Sequence, residues 1–223
     1  MQIQFSQITV PPGQLAIVRG LDWQQFEALL DEAGEHRAAR YAYHDGELEI
    51  MSPLAVHEDY KTIIRSIVEV LLEEMGLEFR GLGSVTLKND RAAQAMEPDE
   101  CFYVQHEAQI RGKDRLDLNI DPPPDLALEI DISARTHFRH YAALGIAELW
   151  RYDGRALEIL LLADGTYRAS AVSRLFPQFD LPLWVPQIVT QSRQEGRSKT
   201  LKAFRQDVRR QLEAAAPTIR KPN

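Results

Sequence analysis

What this chain lacks narrows its possibilities before any motif is read. Its 223 residues include a single cysteine, Cys101, which excludes an internal disulfide framework and every multi-cysteine zinc or iron–sulfur pattern. There is no run of about 18 uncharged apolar residues, so no membrane span is expected. The stretch Met1 to Gly20 has no basic segment followed by an apolar core, and the expected location is the cytoplasm. No period of about 20 to 50 residues recurs, which excludes solenoids and propellers. Aromatic residues make up only 8% of the chain and supply no aromatic-rich sugar cleft, which ranks a paired-carboxylate glycosidase last. What is present, 44% hydrophobic and 26% charged residues, suits one sizeable domain that buries roughly 70% of its unfolded surface.

A basic balance is also missing. The formal net charge of -7 argues on its face against a protein that coats nucleic acid. The charge is unevenly spread, however. Residues 190–223 hold nine Lys/Arg against three acids, a net of +6, while residues 1–189 hold 17 basic and 30 acidic residues, a net of -13. This division predicts a single acidic domain over 1–189 and a basic helical extension over 190–223. The acidity is either a solvated surface or, in part, a site that a divalent cation neutralises.

Local signals order the elements. Asp22 with Gln25 three residues on forms a capping box for a helix over about 22–33, with Gly34 as its stop. Two strand-like runs, Arg40–Tyr43 and Glu47–Met51, flank Asp45-Gly46, the dipeptide of a type I′ hairpin. Tyr60, Ile63, Ile64, Ile67, Val68, Leu71, Leu72 and Met75 recur at helical spacing before Gly76. Leu77 to Lys88 reads as one bent strand, Asn89 to Met96 as a loop, and Asp99 to Val104 as a short strand starting after Pro98. Asp125 to Ile132 alternates, with Leu126, Leu128, Ile130 and Ile132 on one face. Ser133 caps a short helix to Leu144, and a strand over Ala147–Tyr152 and a hairpin around Asp164-Gly165 follow. The last helix, about 198–215, has Leu201, Phe204, Val208 and Leu212 on a narrow stripe among basic residues. That order implies an α/β sandwich, a mixed β-sheet flanked by helices.

Asp125, Glu129 and Asp131 share the other face of the alternating strand. Against water they are merely solvated; against a helix layer they need partners, and a bound cation is one. Asp99 converges on them if its strand is a neighbour. One carboxylate from each of two adjacent strands suits a divalent metal in phosphodiester hydrolysis, where the metal positions the phosphate and acidifies a water. Cys101, Trp150 and Phe102 are expected to fill the core, Glu47 and Glu49 to be solvated, and His57 either to touch the site or to be a partly exposed first-turn histidine. The basic tail either contacts phosphates or packs through its stripe on the body or on a second subunit.

Glu97-Pro98-Asp99-Glu100-Cys101-Phe102-Tyr103-Val104, then Pro124-Asp125-Leu126-Ala127-Leu128-Glu129-Ile130-Asp131-Ile132, then Tyr141 to Asp153, resemble the Uma-type endonuclease family, common in cyanobacteria and part of the PD-(D/E)XK restriction-endonuclease-like superfamily. Asp45 to Pro53 and His57 are similar to it as well, and the resemblance spans roughly residues 20–185. It implies a restriction-endonuclease-like core with an added N-terminal helix and β-hairpin and a C-terminal helix. It also implies Asp99 and Glu129 as ligands of Mg2+ or Mn2+, with the Ile130 carbonyl as a third. The position of the superfamily lysine is Asp131, which can add a ligand or repel phosphate but cannot supply a cation. In many relatives a lysine comes instead from the following helix, and His137 stands there, with Arg135 and Arg139 as nearby cations. Two readings follow. One is a metal-dependent DNA endonuclease, expected as a homodimer because duplex cleavage needs two sites, with catalytic residues Asp99, Glu129, Asp131, His137 and His57. The other is a nuclease-fold protein that binds nucleic acid or protein without cleaving.

Overall fold

In chain order the elements are β1 (Leu15–Arg19), α1 (Trp23–Ala33), β2 (Arg40–His44), β3 (Glu47–Met51), α2 (Ala55–Glu74), β4 (Arg80–Gly81), β5 (Leu87–Asn89) and β6 (Gln94–Met96). They continue with β7 (Glu100–Tyr103), α3 (Glu107–Ile110), β8 (Leu126–Ile130), α4 (Phe138–Ala143), β9 (Glu148–Tyr152), β10 (Leu157–Ala163), β11 (Thr166–Ser170), α5 (Leu181–Glu195) and α6 (Arg197–Ala215). This computed structural model describes residues 8–34, 39–90, 93–132 and 138–215. The short-range signals are realised. At α1 the Gln25 N–H donates to Asp22 Oδ1 at 2.8 Å while the Asp22 N–H donates to Gln25 Oε1 at 2.8 Å, so both halves of the capping box are made. Asp45 and Gly46 take φ of 48° and 79°, the left-handed pair that lets β2 and β3 close as a hairpin.

The strands form two sheets. The first, ordered β1-β3-β2-β6-β5, is antiparallel throughout; the second, ordered β11-β10-β9-β8-β7-β4, is mixed, with β8 and β9 its parallel pair. Alternation along β8 sorts the layers. Leu126, Leu128 and Ile130 join Ile63, Ile67 and Leu71 of α2, Val185 of α5 and Phe204 of α6 in one core. Ala127, on the opposite face, packs with Tyr141 and Leu144 beside α4 and with Leu87 and Met96 of the first sheet. The outer face of that first sheet is covered by α1 through Phe26, against Tyr41, Tyr43 and Ile50. The mixed sheet flanked by helices is thus as expected, with a second sheet facing it.

Some elements differ from expectation. The single bent strand over Leu77–Lys88 is two strands in different sheets: β4 pairs with β7, and β5 with β6. Gly81 sits so close to the Phe102 ring that a Cβ there would lie 3.2 Å from it, which keeps that edge narrow. The expected loop over 89–96 contains β6, and β1 and α5 were not foreseen. Pro186 inside α5 removes a helical donor, and Pro182 lies in its first turn, so its pattern is weak even though Asp180 caps it by accepting from the Leu183 N–H. Ser133, the expected cap of the short helix, lies outside the described residues. α5 runs continuously across residues 189 and 190.

The C-terminal helix is docked on the body. Phe204 and Val208 are buried, and Leu201 and Leu212 pack against the same core as α2. Its cations are engaged: Arg205 reaches Glu73 and Glu74 at 2.6 Å each, and Arg209 reaches Glu74 at 2.6 Å. Those two guanidinium groups hold the Glu74 carboxyl down at about 2, Arg209 most strongly. The stripe read as available to a second subunit is occupied within the chain. Phe204→Ala should therefore cost about 3–5 kcal/mol of the stability of the whole fold, read as a shifted urea midpoint. A loss below about 1 kcal/mol would show that α6 is not part of the core.

Candidate active site

Asp99 organises the site. It lies just before β7, and the antiparallel register sets Glu100 opposite Leu128, so one step further Asp99 stands opposite Glu129, on the other face from Leu128. Asp99 is completely buried. Its Oδ2 accepts the Ile130 backbone N–H at 2.6 Å and lies 3.0 Å from His57 Nε2. Its Oδ1 accepts no hydrogen bond among the described residues and is met instead by Nη1 of Arg40, which projects from β2 of the first sheet. The other guanidinium nitrogen, Nη2, donates to Glu58 Oε1 at 2.7 Å, and Glu58 in turn pairs with Lys61. Both sheets and the first turn of α2 thus meet at one carboxylate.

The electrostatics follow from burial. Glu129 is held above the ordinary glutamate range chiefly by loss of water, opposed by the charge of Arg40 and reinforced by that of Asp131. Burial first, then the Arg40 cation, pushes His57 down to about 4, so at neutral pH it is an uncharged imidazole beside Asp99. Arg40 is itself lowered by burial while Glu129 and Glu58 hold it charged, and a guanidinium keeps its proton in any case.

Of the residues singled out from the sequence, the structure places the Ile130 backbone and His57 at Asp99, and the strand register sets Glu129 opposite it. His57 is buried, which removes the exposed first-turn alternative. Asp131 is placed differently. Its carboxylate is buried and accepts from Arg151 Nε on β9 at 2.7 Å, while Arg151 also donates to Glu158 at 3.2 Å. Asp125, at the other end of β8, accepts the Val104 and His106 backbone N–H groups at 2.7 and 3.2 Å. The three carboxylates on that face are therefore buried rather than solvated, each in its own surroundings. His137 and Arg135 lie outside the described residues, as does the side chain of Arg139. Cys101, Phe102 and Trp150 are core residues, and burial raises the Cys101 thiol far above its usual range. Glu47 pairs with Arg19 at 2.7 Å on the surface.

Arg40, Glu58 and Lys61 had not been singled out. Arg40 lies in a hairpin strand 59 residues from Asp99, and nothing local marks a strand-end arginine as reaching into the other sheet. Among the described residues no three His, Cys, Asp or Glu side chains gather into a group that could hold a metal. The donor set that exists is a facing Asp–Glu pair of hard oxygens with a cation against one of them, and Mg2+ characteristically takes one or two carboxylates and keeps several waters. The pair fits such an ion.

An unfolded histidine gains its proton near pH 6.5, whereas folded His57 does so only near 4, so acidification through that interval favours the unfolded chain. With EDTA present, the stability should fall between pH 6.5 and 4 by an amount on the order of 3 kcal/mol from this residue alone. His57→Gln should flatten that part of the curve. Parallel stability curves for the two proteins would contradict the assignment.

Comparison with known proteins bears on the fold and the family. Among solved structures, a "putative nuclease belonging to DUF820" from Anabaena variabilis superposes with a TM-score of 0.54 at 12% identity, over 81% of this chain and 99% of that one. The shared feature at that identity is the fold, which is restriction-endonuclease-like. No curated protein matches the sequence. A family model described as "Uma2: Putative restriction endonuclease" matches residues 23–192, most of the chain and all of the site, and the chain belongs to that Uma2 family.

Proposed function

We propose that the chain is a divalent-metal-dependent endonuclease that hydrolyses phosphodiester bonds of DNA. The observation that supports this most is the register: two buried carboxylates, Asp99 and Glu129, face each other across β7 and β8, with a neutral histidine and a charged arginine against Asp99. Asp99 and Glu129 would hold Mg2+ or Mn2+, with the Ile130 carbonyl as a third oxygen. When bound, the ion supplies Lewis-acid neutralisation of phosphate charge and a water of lowered pKa. The rest falls to the chain. The Ile130 N–H fixes the Asp99 carboxylate in orientation, and His57, 3.0 Å from Oδ2 and uncharged at neutral pH, adds no competing cation. Arg40 is the nearby cation for a phosphate in place of the superfamily lysine. Asp131 stays on Arg151 and takes no ligand role in this scheme.

The tail arginines in contact with α2 leave less charge for a polyanion than the +6 total suggests, so weak, salt-sensitive DNA binding is expected. Cleavage of both strands calls for two copies, and a homodimer of a cytoplasmic protein would have to form through a face other than the α6 stripe. One observation favours the second reading, a nuclease-fold module that binds without cutting: the lysine position is an aspartate already neutralised by Arg151.

Supercoiled plasmid incubated with Mg2+ or Mn2+ decides between them. The wild type should nick, and Asp99→Asn and Glu129→Gln should each lose at least about 100-fold. Equal traces of nicking in all three proteins would remove the enzyme reading and leave the module.

A further inference from the structure

The cation at Asp99 comes from outside the motif strands and has two carboxylates to choose between. Arg40 places Nη1 against Asp99 and Nη2 at 2.7 Å from Glu58 Oε1. The two acceptors are unequal. Asp99 is 0% exposed and has its Oδ2 occupied by the Ile130 N–H, while the Glu58 side chain is 41% exposed at the start of α2. Asp99 Oδ1 accepts no hydrogen bond among the described residues and is the oxygen left for an ion, and Arg40 meets it. With both cations on that oxygen, like charges would sit in contact away from water, which is prohibitive. With neither, buried acids would lack any compensating charge. One cation at a time is what the pocket accepts.

We propose that Arg40 is the resident counter-ion of the Asp99–Glu129 pair, and that a divalent cation enters by displacing its guanidinium from Asp99 onto Glu58. The identity of the incoming ion rests on the nuclease reading; the two-carboxylate seat of Arg40 does not. Affinity for the ion is then reduced by the fraction of molecules in which Arg40 has left Asp99. Glu58 is the retreat that makes the exchange possible without sending a buried guanidinium through apolar core. Metal binding in this chain is therefore an exchange of cations, not an addition to a vacant pair.

Mn2+ binding to the full chain, followed by the EPR signal of free Mn2+, tests this, with Asp99→Asn as the non-binding control and melting measured in EDTA and in Mn2+. Arg40→Gln should bind Mn2+ at least about tenfold more tightly than wild type. It should melt lower in EDTA, with the gap narrowing in Mn2+. Glu58→Gln, which removes the retreat, should bind about threefold or more weakly than wild type. An affinity in Arg40→Gln no greater than wild type overturns the proposal, as does failure of both to bind. If Arg40→Gln does not fold, Glu58→Gln, altered only at a half-exposed carboxylate, is sufficient: unchanged affinity overturns it. The expected Mn2+ affinities without any nicking by wild type support the exchange and remove the nuclease reading. Asp99-dependent nicking with equal Mn2+ affinities in wild type, Arg40→Gln and Glu58→Gln overturns the exchange and leaves the nuclease.

Discussion

A carboxyl group with no access to water is the constraint on which the rest of this structure depends. Asp99 has no water to solvate it, so the fold must deliver donors and a cation from elsewhere. The Ile130 N–H comes from β8 in the same sheet, the imidazole of His57 from the first turn of α2, and the guanidinium of Arg40 from the facing sheet. Removing Arg40 leaves that carboxyl without its cation, which typically costs several kcal/mol. The same requirement that fixes the site therefore ties the hairpin sheet to the nuclease-like sheet.

Several parts of this architecture are legible in the sequence because their causes are local. The Asp22–Gln25 box, the Asp45-Gly46 turn and the apolar spacing from Tyr60 to Met75 each involve residues within a turn or two of one another, and each element forms where those signals place it. Alternation along β8 correctly puts Glu129 opposite the apolar face. What was missed has non-local causes. β6 is only Gln94–Met96 and exists because β2 and β5 supply pairing on both sides. α5 begins despite two prolines because Leu181, Val185 and Val189 bury against the sheet and against α2. Arg40 has no sequence mark as a site residue, because its role arises only when two sheets meet.

The charge of the chain changes meaning in the same way. A total of -7 reads as unsuited to a nucleic-acid enzyme, and a basic tail as the remedy. In the folded protein Arg205 and Arg209 bind Glu73 and Glu74, and Arg193 binds Asp59 at 3.0 Å, so much of the tail's charge holds α5 and α6 to α2. Part of the body's acidity is likewise internal, at Asp99, Glu129 and Asp131, beside Arg40 and Arg151. Formal charge counts both sets as though they faced a ligand. The chain belongs to the Uma2 family and has a restriction-endonuclease-like fold, and in it Arg40 and Arg151 stand against the buried acids Asp99 and Asp131.

The most direct measurement is anomalous diffraction from crystals of the protein soaked in Mn2+. The account predicts one strong peak between Asp99 and Glu129, with the Arg40 guanidinium turned away from Asp99 and held by Glu58. A peak at another set of ligands, or Arg40 still seated on Asp99 beside a bound ion, would contradict it.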